Sequence, residues 1–152
     1  MRLLLDETMF DSFYICSGQV QTFATFDLNG KLNMDFFGPD EKELLGGRET
    51  ALWKNVKPYI YQLMKGKKLP VSFHFTLQLS RENTDWLLGR YGLEDLKDKL
   101  SGLYLNIIYR NNKISCVTGL AYDTFVMDKR LEQIWDETAG KYLKQNNIAY
   151  EQ

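Results

Sequence analysis

The single histidine, His74, is the residue of this chain best suited to acid–base chemistry near neutral pH. It lies within an alternating segment that has hydroxyl residues two positions away on each side. A hydroxyl, an imidazole and a carboxylate from Asp27 or Asp123 would suit a hydrolase, but the chain has no Gly-x-Ser-x-Gly elbow. Two alternatives remain. One is a plain surface histidine, which the sequence favours, and the other is a pocket on the polar sheet face near His74, Thr76 and Asn106.

The two cysteines, Cys16 and Cys116, are far apart and neither belongs to a Cys-x-x-Cys pair. Without a secretory signal they are predicted to be reduced, buried thiols. One histidine and two isolated cysteines supply too few soft ligands for a zinc site. Residues 27–30 superficially resemble a calcium loop, but Thr25 and Phe36 would occupy positions that need Asp and Glu. We therefore expect no metal and no cofactor, and the sequence favours a protein that is not an enzyme.

Residues 53–68 interleave lysines with aromatic side chains, a mixture that suits single-stranded nucleic acid. Cations neutralise phosphates, and aromatic rings stack on bases. The candidate contacts are Trp53, Lys57, Tyr59, Tyr61, Lys65, Lys67 and Lys68. The alternative interpretation is a helix whose apolar residues are core and whose lysines form a solvated rim. The net charge of -1 favours this alternative, because nucleic-acid-binding domains are usually basic.

Charge is unevenly distributed along the chain. Acids outnumber cations by five in residues 1–49, whereas residues 50–81 contain six cations and no acid. The acid-rich residues 35–49 are therefore expected to dock against the basic segment, within one chain or between two copies. Aromatic residues, which are enriched at the cores of interfaces, make up 14% of the chain. Both features favour an interaction protein that forms a homodimer.

The first half of the chain is predicted to contain strands at residues 13–16 and 20–28. Asn29-Gly30 would form a hairpin turn, and residues 31–37 would be the return strand. Residues 40–68 have helical periodicity, which Gly46-Gly47 interrupts, and Gly66 would end the helix. Pro58 either starts this helix or kinks it.

The clearest strand is Val71–Leu79, because every second residue is apolar. Ser80 would cap the next helix, and residues 93–100 would form another short helix. A second hairpin is expected from residues 103–109 and 114–118, with a bulge at Thr118-Gly119 and a further strand at residues 122–126. Asp128 would cap a final helix, whose apolar stripe comprises Leu131, Ile134, Trp135, Ala139, Tyr142 and Leu143.

Together these elements predict one α+β domain over residues 1–152. The sheet would be antiparallel or mixed and built from hairpins, with the helices packed mainly on one face. The chain length suits one domain. No apolar run reaches the length of a membrane span, and the first residues lack the apolar core of a signal peptide. The protein is therefore expected in the cytoplasm.

Several phrases of the chain together resemble one protein family. They are residues 10–13, 53–58, 64–70, 103–107, 116–119, 124–125 and 128–136. The family consists of short bacterial proteins known only as a domain of unknown function, and the resemblance runs over nearly the whole chain. It implies a bacterial, cytoplasmic protein and supplies no activity, substrate or site residues.

The function itself is unknown from the sequence, which leaves three hypotheses. The first is a non-enzymatic binding or interaction protein that forms a homodimer. The second is a nucleic-acid-associated protein that uses residues 53–68. The third is an enzyme or small-ligand binder near His74.

Overall fold

The computed structural model describes residues 2–5 and 8–151. Its centre is a five-stranded antiparallel sheet with the order β2-β1-β3-β4-β5. The strands are β1 (Tyr14–Gln21), β2 (Thr25–Asn29), β3 (Ser72–Gln78), β4 (Leu100–Arg110) and β5 (Lys113–Tyr122). The helices are α1 (Arg2–Leu5), α2 (Pro39–Leu45), α3 (Trp53–Met64), α4 (Arg81–Arg90) and α5 (Arg130–Gln145). Short 3-10 turns span Met34–Phe36 and Glu94–Leu96.

One face of the sheet carries the core, because strand side chains alternate between the two faces. On β3 this face presents Phe73, Phe75 and Leu77, which are all buried. Helix α3 packs on the same face, where the Trp53 ring lies 5.1 Å from the Phe75 ring. The prediction of an α+β fold with its helices mainly on one face of a hairpin-built sheet is confirmed.

The cap predicted for α4 is confirmed, whereas the N-cap of α5 is Lys129, one residue after the predicted Asp128. The Ser80 side chain accepts a hydrogen bond from the backbone N–H of Asn83 and caps α4. Asp128 accepts one from the N–H of Arg130 at the start of α5. The buried stripe of α5 comprises Leu131, Trp135, Ala139 and Leu143, while Ile134 and Tyr142 of the predicted stripe are partly buried.

Residues 40–68 form two helices, separated as predicted near Gly46-Gly47. Both glycines have positive φ, at 60° and 83°, a conformation that ends a helix. Pro58 lies inside α3, so it does not start the helix. Its ring nitrogen cannot donate the usual helical hydrogen bond to the carbonyl of Lys54.

The predicted hairpin at Asn29-Gly30 is wrong. The turn between β1 and β2 lies at residues 22–24 instead, where the N–H of Thr22 donates to the carbonyl of Ala24. Beyond Gly30, Lys31 makes only an isolated bridge with Thr50, so residues 31–37 are not a return strand.

Gly30 serves close packing rather than a turn. A Cβ atom on it would lie 1.6 Å from the carbonyl oxygen of Ile15. Its N–H donates to the carbonyl of Cys16, and its own carbonyl accepts from Ala51. The glycine therefore lets two backbone segments approach beside β1, a long-range requirement that a local turn signal does not contain.

Three further predictions in the second half are wrong. Residues 93–100 do not form a helix. They contain the 3-10 turn Glu94–Leu96, and Leu100 is the first residue of β4. The irregular register lies between Leu100 and Gly102 rather than at Thr118-Gly119. Residues 122–126 do not form a further strand, because β5 ends at Tyr122, which pairs with Leu100, the first residue of β4.

We expect Gly30→Ala to lower the free energy of unfolding by about 3 kcal/mol, because the added methyl group cannot fit without moving the backbone. Gly89→Ala is the matched control: the nearest atom to its Cβ is 3.9 Å away, inside α4. There alanine should stabilise by about 0.5 kcal/mol. Urea unfolding measures both changes. Equal effects of the two substitutions would contradict the packing role of Gly30.

Candidate functional site

The free edge of β5 is the longest exposed strand edge in the described sheet. The ten-residue β5 lies at one end of the strand order and the five-residue β2 at the other. Within the described residues, no backbone hydrogen bond joins the outer edge of β5 to another segment. Strand edges are templates for pairing, and proteins usually shorten or charge them.

The hydrogen-bonding groups on this edge can be identified from the ladder between β4 and β5. Asn111 and Asn112 form the two-residue turn, with φ of 53° and 62°, and Arg110 opposes Lys113. Opposed residues of such a hairpin alternate between hydrogen-bonded and non-hydrogen-bonded pairs, and the pair next to a two-residue turn, Arg110 with Lys113, is hydrogen-bonded. The alternation leaves the N–H and C=O groups of every second residue pointing outward. These residues are Ile114, Cys116, Thr118 and Leu120.

A second observation supports the same alternation. The carbonyl of Leu103 accepts a hydrogen bond from the N–H of Leu79, on the β3 side of β4. Leu103 is paired in register with Leu120 on β5. Because Leu103 bonds away from β5, the backbone groups of Leu120 are left to point outward.

A groove of about 990 Å³ lies beside this edge, between β5 and α5. Its sides include Ile114 and Cys116 from β5, Gly140 and Leu143 from α5, and the chain end from Ile148 to Glu151. Thr118 donates a hydrogen bond to the Asp136 carboxylate and so ties β5 to α5. The groove therefore runs beside the hydrogen-bonding edge of β5.

The exposed apolar residues of β5 line both faces near the edge. Ile114 is 44% exposed on the helix side, and Val117 is 51% exposed on the open face. Both cysteines are free, but Cys116 is exposed and Cys16 only partly buried, so the prediction of two buried thiols is wrong. Cys116 is exposed because α5 does not fully cover the edge strand. Burial raises the pKa of the Cys16 thiol above its ordinary value, and partial burial has the same effect on the pKa of Cys116.

The polar face of the sheet brings three predicted site residues together. Thr76 Oγ1 donates to Asn106 Oδ1 at 2.8 Å, and Nε2 of His74 lies 3.1 Å from the same oxygen. The strand register explains this cluster, since Thr76 opposes Asn106 and His74 opposes Ile108. The imidazole of His74 is therefore next to an amide.

The two carboxylates considered for His74 are held elsewhere. Gln19 lies between His74 and Asp27 in the register, and its Nε2 donates to Asp27 Oδ1 at 2.9 Å. Asp123 accepts a hydrogen bond from the hydroxyl of Ser101. The structure thus assembles the hydroxyl, the imidazole and the amide, but not the carboxylate, of the hypothetical site.

The basic–aromatic segment lies on the opposite side of the sheet from His74. Trp53 is fully buried, and its Nε1 donates to the carbonyl of Leu4 at 3.1 Å, so its ring is not available to a base. Lys57 Nζ lies 2.6 Å from Asp11 Oδ1. The remaining predicted contacts, Tyr59, Tyr61, Lys65, Lys67 and Lys68, are exposed.

Residues 35–49 were expected to dock against this basic segment. Among the described residues, no ion pair joins the two segments. The Lys57 contact joins Asp11 near the start of the chain instead. Charge segregation along the sequence therefore does not correspond to an acid–base interface within the described chain.

The β5 edge was missed by the sequence analysis, which recognised only the strand itself. Its position at the end of the sheet depends on long-range pairing. One local signal was present: residues 114–122 carry no charged side chain, which is unusual for an exposed strand.

Two searches of the described residues concern other kinds of site. Among those residues, no three His, Cys, Asp or Glu side chains are grouped where they could hold a metal ion. None of the described helices combines the length and apolarity needed to cross a bilayer.

Comparison with known proteins supplies one match. Residues 2–151 match a family whose description is "Family of unknown function (DUF5721)". No curated protein and no solved structure matches the chain. The resemblance found in the sequence is confirmed, because the match covers nearly every residue. The chain belongs to the DUF5721 family, a family of unknown function.

Proposed function

We propose that this chain is an interaction protein whose partner is a second copy, bound along β5 to form a homodimer. The observation that carries the proposal is the unpaired ten-residue edge beside an open groove. Antiparallel pairing of the two β5 strands would make one continuous ten-stranded sheet. The interface would be isologous, as in most homodimers.

The proposed register is centred on Val117. In this register Cys116 forms a hydrogen-bonded pair with the partner's Thr118, and Ile114 forms one with the partner's Leu120. Val117 then opposes the partner's Val117 on the open face. This register gives apolar partners to Ile114 and Val117, the two large apolar side chains of β5 that are exposed in a single chain.

Charge supports a second copy as the occupant. Between Lys113 and Tyr122 the only charged residue is Lys113 at the strand end. In the proposed register it opposes the partner's Ala121, so no like charges face each other across the strands. The edge also lacks the proline or additional charges that would prevent pairing.

The strand and the helix above it set the size of the proposed contact. A ten-residue strand is about 34 Å long. Helix α5, which packs above it, is about 10–12 Å wide. Their product, about 340–410 Å² per partner, is smaller than the roughly 800 Å² per partner of a standard interface and suits a small, reversible dimer. The partner's Ile114 and Leu120 would enter the groove beside Leu143.

The first test introduces a charge at the centre of the proposed interface. We expect Val117→Lys to convert a dimer into a monomer, because two ammonium groups would oppose each other across adjacent strands. Val117→Thr keeps a β-branched side chain without the charge and should remain dimeric. Size-exclusion chromatography with light scattering measures the mass of each. Val117 is 51% exposed, so the folding stability of the monomer should change by less than about 0.5 kcal/mol.

A monomeric wild-type protein at high concentration would contradict the homodimer. A dimeric Val117→Lys variant would show that the two copies meet on another surface.

The second test examines the proposed register of the two β5 strands by disulfide cross-linking between the copies. It uses a chain in which Cys16 and Cys116 are replaced by serine. Val117→Cys should cross-link the copies under mild oxidation. Opposed residues in a non-hydrogen-bonded pair have Cα atoms about 4.5 Å apart, within the range of a disulfide. Ser115→Cys is the control on the same strand and face, and its two copies would be about 14 Å apart. Non-reducing electrophoresis gives the yields. Equal cross-linking of both variants would refute the register.

A further inference from the structure

A second cavity, of about 250 Å³, lies on the helix side of the sheet, between α4 and α5. Its inner walls are apolar and comprise Phe13, Leu79, Leu87, Leu105, Trp135 and Ala139. Five of these six side chains are buried, and Leu79 is half-buried. The cavity shares only Ala139 with the groove beside β5. It is therefore a separate concave feature, of the kind that binds small molecules.

The polar atoms in the walls are already hydrogen-bonded within the protein. Trp135 Nε1 donates to the carbonyl of Tyr104 at 2.9 Å, and Thr138 Oγ1 donates to the carbonyl of Ile134 at 2.6 Å. The Tyr142 hydroxyl donates to the carbonyl of Met9. Because these three donor groups are already hydrogen-bonded within the protein, the interior of the cavity presents mainly apolar surface to a ligand.

The mouth of the cavity differs from its interior. The Ser12 hydroxyl and the Asn83 carboxamide line it, and both residues are exposed. Neither side chain forms a hydrogen bond with the described part of the chain, although the backbone N–H of Asn83 is bonded to Ser80. The mouth therefore offers one hydroxyl and one amide to a ligand.

Volume and charge limit the class of ligand. An engineered apolar cavity of about 150 Å³ is large enough to bind benzene. The present cavity holds about 250 Å³, which leaves room for a substituted or bicyclic ring. None of its lining residues is charged. A charged ligand would lose its hydration without gaining an ion pair.

The aromatic walls favour a flat ring over an aliphatic chain. Phe13, Trp86, Trp135 and Tyr142 all line the cavity. The rings of Phe13 and Tyr142 lie 6.1 Å apart in a tilted arrangement, which offers both ring edges and ring faces. Aromatic pairs gain beyond their buried area when they meet edge to face or offset.

From these observations we infer that the cavity between α4 and α5 binds a small neutral aromatic molecule. The ring would lie against the two tryptophans, and a single hydroxyl or N–H substituent would reach Ser12 or Asn83 at the mouth. Phenol and indole have this chemistry. The inference is independent of the homodimer, because it uses a different surface.

The experiment titrates the protein with phenol and with toluene by isothermal calorimetry. Both ligands should bind saturably at one site per chain, since both fill the apolar interior. The double substitution Ser12→Ala with Asn83→Ala should weaken phenol about fivefold, the order expected for one lost neutral hydrogen bond. Toluene binding should not change. Glu82→Ala, an exposed neighbour on α4, is the matched control and should leave both affinities unchanged.

Leu79→Phe tests the location of the site. The larger side chain would occupy part of the cavity from its half-buried position and should abolish binding of both ligands. Thermal unfolding checks that this variant folds. The Val117→Lys variant should bind phenol as the parent does.

Three outcomes would overturn the inference. They are the absence of saturable binding of either ligand, an unchanged ratio of phenol to toluene affinity in the double variant, and full binding by a folded Leu79→Phe variant.

Discussion

One-sided coverage of the sheet is the constraint on which the other features of this molecule depend. Phe73, Phe75 and Leu77 of β3 put a continuous apolar layer on one face, and α3, α4 and α5 pack onto that layer. Because these helices lie on one side, the opposite face keeps its polar residues in water. Since α5 does not extend fully over the last strand, the layer ends in a groove instead of a closed wall. The polar face and the groove therefore have one common cause.

The elements that the sequence predicts well are those whose determinants are local. β3 follows from strict alternation, α5 from its apolar stripe, and the hairpin of β4 and β5 from two asparagines that tolerate positive φ. The prediction at Asn29-Gly30 failed for the opposite reason. Gly30 is required by a carbonyl of Ile15 that is distant along the chain, and a turn motif does not encode that neighbour.

The candidate sites were predicted to different extents. His74, Thr76 and Asn106 meet because alternation placed each on the polar side, although their exact neighbours required the register of β3 and β4. Trp53 was included among the possible nucleic-acid contacts because of its neighbours in sequence, whereas the helical spacing that the sequence analysis favoured, which predicts burial, was the better guide. The β5 edge and the cavity between α4 and α5 depend on strand order and helix placement. Neither can be deduced from the composition of the segments that form them.

The order of elements along the chain has a consequence for biosynthesis. The hairpin of β4 and β5 leaves the ribosome before α5, which follows it in sequence. Until α5 is translated and docks, the inner side chains of β5 have no cover, and the neighbouring strand edge is open to other nascent chains. During synthesis there is thus a stage at which β5, whose only charged residue is Lys113, is exposed to solvent on its inner side. Exposed apolar surface and unpaired strand edges make such intermediates prone to aggregation, so rapid synthesis of the last helix would shorten the period of risk.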